Sequence, residues 1–188
     1  MKPGQNTNHP APNSCITVEP IRKMSDIKAI KATLNPRDLC LFTLGINTNL
    51  RASDLVSLKV GQVTGTELVL KEHKTGKTRR ITLNQSCIDA IAKASAHLQP
   101  EDYLFRSQRG EALTVPSVSR LVKSWCRHLR GNYASHTLRK TWGYHQRVSF
   151  KVDIPTLMQC FNHSTQRQTL EYLCIQPSEI KSVYLNEL

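Results

Sequence analysis

The sequence predicts an α+β domain that is mostly helical, with one small antiparallel β-sheet. Apolar residues recur at helical spacing along most of the chain. One stretch differs, because two short runs rich in β-branched and apolar residues, Glu67–Lys71 and Arg79–Leu83, flank a Thr-Gly turn, which is typical of a hairpin. With 188 residues, the chain is long enough for one domain with a full hydrophobic core.

Capping residues mark the predicted helices. Ser25 is expected to cap the first helix, and Asn35-Pro36 to start a second, almost wholly apolar helix that is a central core element. Residues 45–49 break that helix, and in the stretch Asn49–Leu58 that follows a helix is expected to start at Arg51, with Leu55 and Leu58 on its buried edge. Later helices are predicted after the caps Asn84 or Ser86, Ser135, Asp153 and Ser164, over Pro116–Leu129, and from Pro177.

The charge of the chain favours an anionic partner. There are 26 Lys and Arg against 14 Asp and Glu, which gives a net charge of +12. Such an excess favours nucleic acid or an anionic membrane surface. The membrane alternative is weaker, because no apolar run approaches the ~20 residues that span a bilayer. Residues 1–20 are rich in Asn, Pro and Thr and are predicted to form a disordered N-terminal arm.

The cysteines and the N-terminus indicate a cytoplasmic protein. The start has no apolar segment of a secretory signal, and the six cysteines include no Cys-x-x-Cys pair. They are therefore expected to be reduced and mostly buried. The pairs Cys126 with His128 and Cys160 with His163 come nearest to metal ligands, but neither has the spacing of a known zinc site, so no metal is predicted.

Three groups of residues could bind phosphate. His136 and Arg139 are three apart in a stretch, residues 112–152, that has no Asp or Glu, and on a helix they share one face. Arg51 starts a helix beside Asp54, which could hold its guanidinium. Around the turn of the hairpin, residues 71–80 carry five cations and one carboxylate, Glu72. Each group also has an ordinary alternative: a packed ring beside a surface residue, a surface ion pair, and a charged sheet edge that resists aggregation.

Taken in order, these motifs resemble the catalytic domain of the tyrosine recombinases, the phage-integrase-like DNA strand-transfer enzymes. The matching segments are Leu50–Leu55, Lys74–Arg80, Ser135–Arg139 and Asn162 through Tyr172. Each motif alone is unspecific, but six positions follow in the family's order, within a match from about Ser25 to Tyr172. Asn162 stands where the family often has Gly, and Asn tolerates the left-handed backbone that such a turn needs.

The resemblance implies a phosphate cage. Arg51 and Arg139 would clamp the non-bridging oxygens of a phosphodiester, since the guanidinium fork fits two oxygens at once. His136 and His163 would add hydrogen bonds and could handle the proton of the nucleophile. Lys140, where His is common, would touch the DNA backbone or pack.

The same resemblance assigns the reacting groups. Tyr172 would attack the phosphorus to form a 3′-phosphotyrosine, and Lys74 would protonate the departing 5′-oxygen. Asp54 would orient Arg51 without contacting the DNA itself. No metal or nucleotide cofactor would take part. Tyr133, Tyr144 and Tyr184 compete for the role of nucleophile. The residues expected to contact DNA are Lys71, Lys77, Arg79, Arg80, Arg120, Lys123 and Lys140.

The implied organisation is a catalytic domain over residues 21–175 and a tail over residues 176–188 that docks on a neighbouring protomer. Double-stranded DNA would be the partner, with a tetramer on paired sites, an accessory DNA-bending protein as a further candidate, and association with the nucleoid. The polar N-terminal arm cannot form the helical core-binding domain of most relatives, so the chain resembles the short members that invert fimbrial promoters, or an isolated catalytic domain. A type IB topoisomerase and a DNA-binding regulator that no longer cuts are the alternatives.

Overall fold

The computed structural model describes residues 18–74 and 76–174. Over these residues the chain forms eight α-helices, one 3-10 helix and one three-stranded sheet. The helices are α1 Met24–Thr33, α2 Pro36–Gly45, α3 Ala52–Val56, α4 Gln85–Ser95, α5 Val115–Trp125, α6 Ser135–Val148, α7 Ile154–Phe161 and α8 Gln166–Leu173. The 3-10 helix is Val60–Gln62, and the strands are β1 Val63–Thr64, β2 Glu67–Lys71 and β3 Thr78–Thr82. The predicted fold class is confirmed.

The sheet is antiparallel in the order β1-β2-β3, with Val69 opposite Arg80 in the register of the hairpin. The hairpin loop closes with the N–H of Gly76 donating to the carbonyl of Glu72 at 2.9 Å, and the φ of +67° at Gly76 suits a residue without a Cβ. The prediction of the hairpin is confirmed. The strand β1 was not predicted, because two residues are too short to show an alternation.

Three of the predicted caps are confirmed. The side chains of Asn35, Asn84 and Asp153 each accept the N–H three residues later, at 3.0, 3.0 and 2.8 Å. Three serine caps are wrong, because α1 follows Lys23, α6 follows Ala134 and α8 follows Thr165. The local reason is clearest at α8, where the hydroxyl of Thr165, adjacent to Ser164, accepts the N–H of Gln168 at 3.2 Å. Sequence alone does not decide between two neighbouring hydroxyl residues.

The predicted helix Pro116–Leu129 is shorter in the structure, where α5 ends at Trp125. Beyond that residue the N–H groups of Arg127 and Leu129 bond to carbonyls only three residues earlier, at 3.3 and 2.9 Å. The chain therefore tightens into turns there.

The main hydrophobic core is built around α2, as predicted. From Cys40 to Gly45 every residue of this helix is buried. Gly45 lies against α6, where a Cβ would come within 2.6 Å of Leu138 Cδ1. The absence of a side chain at Gly45 thus permits α2 and α6 to approach closely.

A second, smaller cluster joins α6, α7 and α8. Phe161 and Leu173 are buried in it together with Leu157. Gly143 of α6 faces this cluster, and a Cβ there would lie 2.5 Å from Phe161 Cζ and would also collide with Leu173. The packing of α8 on α6 therefore depends on glycine at position 143.

The segment before α1 docks on α6. The N–H of Ile21 donates to Thr141 Oγ1 at 2.9 Å, and His145 Nε2 donates to the carbonyl of Ile21 at 3.0 Å. Ile21 itself is buried. The predicted arm up to residue 17, the helix from Pro177 and the tail over residues 176–188 lie outside the described residues, so the domain boundaries stay predictions. No helix in the described part of the chain has the length and apolarity to cross a membrane.

Candidate active site

Arg139 is the buried centre of the site, with 6% of its surface exposed. Its Nη1 donates to the carbonyl of Asn49 at 2.6 Å, its Nη2 donates to the carbonyl of Phe161 at 3.4 Å, and its guanidinium lies 5.1 Å from the centre of the Phe161 ring. Burial lowers the pKa of Arg139 to about 10, so it stays charged at neutral pH. Two of its five N–H groups are used in these bonds, and three are left for a ligand.

His163 and Tyr172 stand together on the second cluster. The ring of His163 stacks on Phe161 with centroids 5.1 Å apart, and Tyr172 meets His163 edge-on at 5.4 Å. Thr169 Oγ1 lies 3.0 Å from His163 Nδ1, a hydrogen bond that orients the ring, and Nε2 has no hydrogen-bond partner among the described residues. The turn between α7 and α8 is made by Asn162, whose φ of 57° is left-handed, as expected for the residue that stands in place of Gly.

The hydroxyl of Tyr172 is buried and has no hydrogen-bond partner among the described residues. Burial raises the pKa of Tyr172, and the nearby Arg139 and Arg51 guanidiniums oppose that shift. The guanidinium of Arg139 lies close enough to the phenol oxygen to hydrogen-bond to its anionic form, which lowers the pKa, although the neutral hydroxyl makes no hydrogen bond of standard geometry. An unpaired buried hydroxyl is costly, and a position that keeps one is a candidate for reaction chemistry.

The competing tyrosines have different surroundings. Tyr133 donates its hydroxyl to the carbonyl of Arg130 at 2.9 Å, and Tyr144 packs edge-on against the ring of His145. Tyr184 lies outside the described residues.

The two histidines of the site are kept neutral at pH 7. Partial desolvation lowers the pKa of His136, and Arg139, Lys140 and Arg51 lower it further, although the side chain reaches solvent. Burial, followed by Arg139 and Arg51, lowers the pKa of His163 in the same way. A neutral imidazole can accept a proton or donate a hydrogen bond. An incoming anion would raise both pKa values again.

Arg51 is held by the hairpin and not by its neighbour in sequence. Its Nη1 lies 3.4 Å from Glu72 Oε2, and Arg79 Nη1 lies 3.1 Å from Glu72 Oε1. The predicted pair of Arg51 with Asp54 is wrong. Asp54 is fully buried and accepts the N–H of His73 at 2.9 Å, so it anchors the hairpin backbone instead. Its Oδ2 has no hydrogen-bond partner among the described residues.

The structure therefore brings five of the six predicted catalytic residues together: Arg51, His136, Arg139, His163 and Tyr172. Lys74 is different, because it lies exposed in the hairpin loop, and no contact among the described residues links it to the two arginines. The hairpin that carries it is tied to the start of α3 by Asp54 and Glu72. The position of Lys74 therefore depends on how these contacts hold the hairpin loop.

The residues expected to contact DNA fall into two groups. Most of them are exposed: Lys71, Lys77, Arg80, Arg120 and Lys123. Arg79 is half-buried beside Glu72, and Lys140 is buried with 6% of its surface exposed. Lys140 Nζ donates to Cys174 Sγ at 3.4 Å and lies 5.1 Å from the centre of the Tyr172 ring, so it packs against the C-terminal end of α8.

Three residues of the site were missed by the sequence reasoning: Glu72, Asn49 and Phe161. Glu72 had a signal, since it is the one carboxylate among five cations in residues 71–80. Asn49 and Phe161 hold the guanidinium of Arg139 through their backbone carbonyls, which every residue has, so these two bonds could not be predicted from side-chain motifs. The described residues contain no cluster of three His, Cys, Asp or Glu side chains that could hold a metal ion.

Comparison with known proteins identifies the family. The model of the phage integrase family matches residues 16–179. The chain belongs to the phage integrase family. The predicted resemblance to the tyrosine recombinases is thereby confirmed, and the class of enzyme is that of the site-specific recombinases and integrases.

Two curated relatives show how much of a longer protein the chain represents. It is 35% identical over 179 residues to the probable integrase/recombinase YoeC of Bacillus subtilis, which covers 89% of this chain and 95% of YoeC. It is 30% identical to the tyrosine recombinase XerC of Caldanaerobacter subterraneus, over 88% of this chain but only 48% of that protein. The chain thus spans nearly all of one relative and about half of the other.

Solved structures agree on the fold. The crystal structure of XerA recombinase matches 96% of this chain and 66% of its own with a TM-score of 0.72 at 19% identity. XerH recombinase, crystallised with a palindromic difH substrate as a post-cleavage complex, matches 92% of this chain and 55% of its own with a TM-score of 0.70 at 16% identity. At these identities the likeness concerns the fold.

Proposed function

We propose that the chain cleaves and rejoins DNA strands at a specific site, with Tyr172 as the nucleophile. The observation that carries the proposal is the unpaired, buried hydroxyl of Tyr172 beside His163 and Arg139. A tyrosine kept only for packing would gain stability from a hydrogen bond or from replacement by phenylalanine. An unpaired hydroxyl next to two guanidiniums suits attack on an anionic ester.

The two arginines provide the site for the phosphate. Three N–H groups of Arg139 remain after its bonds to backbone carbonyls, and Arg51 Nη1 forms an ion pair with Glu72 at 3.4 Å but has no hydrogen-bond partner among the described residues. In-line attack on a phosphodiester builds negative charge on the non-bridging oxygens. Donors that are already in place lower that barrier without rearranging.

The proton of Tyr172 needs an acceptor during the attack. The lowered pKa values of His136 and His163 leave both imidazoles neutral and able to accept it. The bond from the Tyr172 oxygen to phosphorus forms, and the bond from phosphorus to the 5′-oxygen breaks. Lys74, exposed on the hairpin loop, gives its proton to the departing 5′-oxygen.

The product is a 3′-phosphotyrosine that stores the energy of the phosphodiester. Rejoining is the reverse, in which a 5′-hydroxyl attacks the phosphorus, returns its proton to Lys74 and releases Tyr172. None of these steps calls for a metal or a nucleotide cofactor.

Duplex DNA is the proposed partner. The exposed cations of the hairpin and α5 suit its phosphate backbone, and binding through them should weaken steeply with salt. Cleavage of four strands requires several protomers on paired sites. We propose that residues 176–188 join neighbouring protomers and that an accessory DNA-bending protein brings the sites together.

The test uses DNA from the genomic flanks of the coding sequence. A nick just beyond the cleavage position lets the short fragment that carries the free 5′-hydroxyl diffuse away, so that the strand cannot be rejoined. The wild-type protein should then accumulate a covalent complex that survives detergent. Tyr172→Phe keeps the ring and should give no complex, while Tyr144→Phe, the matched control on α6, should react normally.

The absence of a complex with any flanking sequence would favour a DNA-binding protein that does not cut. A complex that persists in Tyr172→Phe would show that another residue is the nucleophile. The direction of recombination would follow from the arrangement of the sites that react.

A further inference from the structure

We infer that Asn49 is the positioning residue of this site, setting Arg139 with its backbone and the α7–α8 turn with its side chain. The inference rests on the proposed cleavage reaction. Asn49 itself touches neither the Tyr172 ring nor any group assigned to proton transfer in the described structure. It lies in the turn between α2 and α3, two residues before Arg51, and only 1% of its surface is exposed.

The bond between the Asn49 carbonyl and Arg139 depends on a left-handed backbone conformation at residue 49. Asn49 has a φ of 55°, which most residues adopt only with strain but which Asn and Gly tolerate. In this conformation its carbonyl accepts Arg139 Nη1 at 2.6 Å. This is the shorter of the two hydrogen bonds that hold the guanidinium, and it is charge-assisted. The orientation of Arg139 is therefore tied to the backbone of residue 49.

The side chain of Asn49 contacts a different element, α7. Asn49 Nδ2 donates to the carbonyl of Cys160 at 2.8 Å, in the last turn of α7. Carbonyls at the end of a helix lack partners inside the helix and need one from elsewhere. Two residues on, Asn162 turns the chain into the segment that carries His163 and then Tyr172. The amide of Asn49 thus fixes the start of that segment.

A third observation concerns the residue type. Asn49 Oδ1 is buried without a hydrogen-bond partner among the described residues, so the amide is kept although half of it is unsatisfied. Glycine would tolerate the same φ at no steric cost and would bury no unpaired oxygen. The amide therefore has a use that glycine lacks, and the bond to Cys160 is that use. One residue in this way sets the distance between Arg139 and the turn that leads to Tyr172.

The test separates the two halves with two variants. Asn49→Gly keeps the left-handed backbone and loses only the bond to Cys160. Asn49→Ala loses that bond and also disfavours the φ of 55°, which moves the carbonyl that holds Arg139. Single-turnover cleavage is measured at saturating protein, and the affinity for the same DNA and the unfolding midpoint are measured in parallel.

The expected order of rates is wild type, then Asn49→Gly, then Asn49→Ala. Misplacement by less than an ångström should slow cleavage about tenfold in the first variant and about a hundredfold in the second. The affinity for DNA should change less than twofold, because neither variant alters an exposed cation. The control is Asn47→Gly in the same turn, whose amide donates to the carbonyl of Thr43 within α2 and accepts from Asn84 before α4, with no bond to α7 among the described residues. It should cleave at the wild-type rate.

Cleavage by Asn49→Gly at the wild-type rate would overturn the role of the side chain. Equal rates for the glycine and alanine variants would overturn the role of the backbone. Rates that follow the unfolding midpoints across all three variants, the control included, would show a structural role alone. If wild-type protein forms no covalent complex, the proposed function has failed instead, and that result is visible before any variant is made.

Discussion

The two arginines of the site are held in opposite ways. Arg139 is almost fully buried, and its partners are two backbone carbonyls and an aromatic ring. Arg51 keeps 22% of its side chain exposed, and its partner is the carboxylate of Glu72 on the hairpin. Carbonyls fixed by packed helices do not titrate and cannot swing away. A carboxylate on a hairpin loop responds to salt, to charge and to the arrival of phosphate.

The difference indicates that two regions of the site are held in place by different interactions. The region of α6, α7 and α8 is preorganised by packing, and it carries Arg139, His163 and Tyr172. The region of α3 and the hairpin is organised by ion pairs, and it carries Arg51 and Lys74. We expect the first region to have its final geometry before DNA binds, and the second to adjust when DNA displaces Glu72 from Arg51.

Arg139→Lys should have the largest effect on the packed region. Lysine keeps the charge but cannot hold two carbonyls and still offer a fork to phosphate. Loss of an arranged donor of this kind should slow cleavage about 100- to 1,000-fold, with little change in the affinity for DNA. Single-turnover cleavage measures the first quantity, and titration of labelled DNA the second. Retention of more than a tenth of the wild-type rate would contradict the role of Arg139.

Gly143→Ala should loosen the packed region while leaving every proposed reacting group in place. The added methyl collides with Phe161 and Leu173 and should cost about 1–3 kcal/mol in the free energy of unfolding. The two tryptophans allow the effect to be located, because Trp142 packs edge-on against Phe161 and Trp125 against Phe42 of the main core. With Trp125 replaced by phenylalanine, urea unfolding followed by Trp142 fluorescence should shift to lower urea. An unchanged midpoint would show that α8 does not need this close approach.

Glu72→Gln should affect the ion-paired region more mildly. It keeps the size of the side chain and removes the charge that faces Arg51 and Arg79. DNA should bind more tightly, because two guanidiniums lose their competing anion, while cleavage at saturation slows by about threefold to tenfold as Arg51 loses its orientation. The matched control is Glu67→Gln, whose exposed pair with Arg80 lies at the other end of the hairpin. Weaker binding in Glu72→Gln would contradict this account.

The sequence predicted these residues better than it predicted their partners. Arg51, Arg139 and Tyr172 were singled out by the resemblance to the tyrosine recombinases, and the structure places them near one another. The partner of Arg51 could not be found, because Asp54 was the nearer carboxylate in sequence, whereas Glu72 reaches Arg51 only once the hairpin has folded over α3. Helix starts were predicted to within two residues, with α1 capped at Lys23 instead of Ser25 and α8 at Thr165 instead of Ser164.

Burial was the second quantity that the sequence could not supply. Lys140 lies in a basic stretch and was expected either to contact DNA or to pack. In the structure it packs on the ring of Tyr172. A run of cations does not show which members turn inward, because that depends on α8 lying across α6. The same packing is why Gly143, an unremarkable residue in the sequence, decides whether Tyr172 can be positioned.

The smallest expected effect is a pH dependence of stability. The folded chain lowers the pKa of His163, so below the ordinary value of about 6.5 the unfolded chain binds a proton that the folded chain does not. The free energy of unfolding should therefore fall as the pH is lowered from 7 to 5. In His163→Gln that fall should be smaller, while His97→Gln, an exposed control just after α4, should follow the wild type. An equal fall in His163→Gln would contradict the desolvation of this ring.

The most direct test of the central claim locates the covalent bond. Trypsin cuts the chain after Arg167 and Lys181, so Tyr172 is the only tyrosine of the peptide over residues 168–181, while Tyr133, Tyr144 and Tyr184 fall in other peptides. The trapped complex is digested with nuclease and trypsin and examined by mass spectrometry. The account predicts a nucleotide on the 168–181 peptide, attached at Tyr172. A nucleotide on any other tyrosine peptide would contradict it.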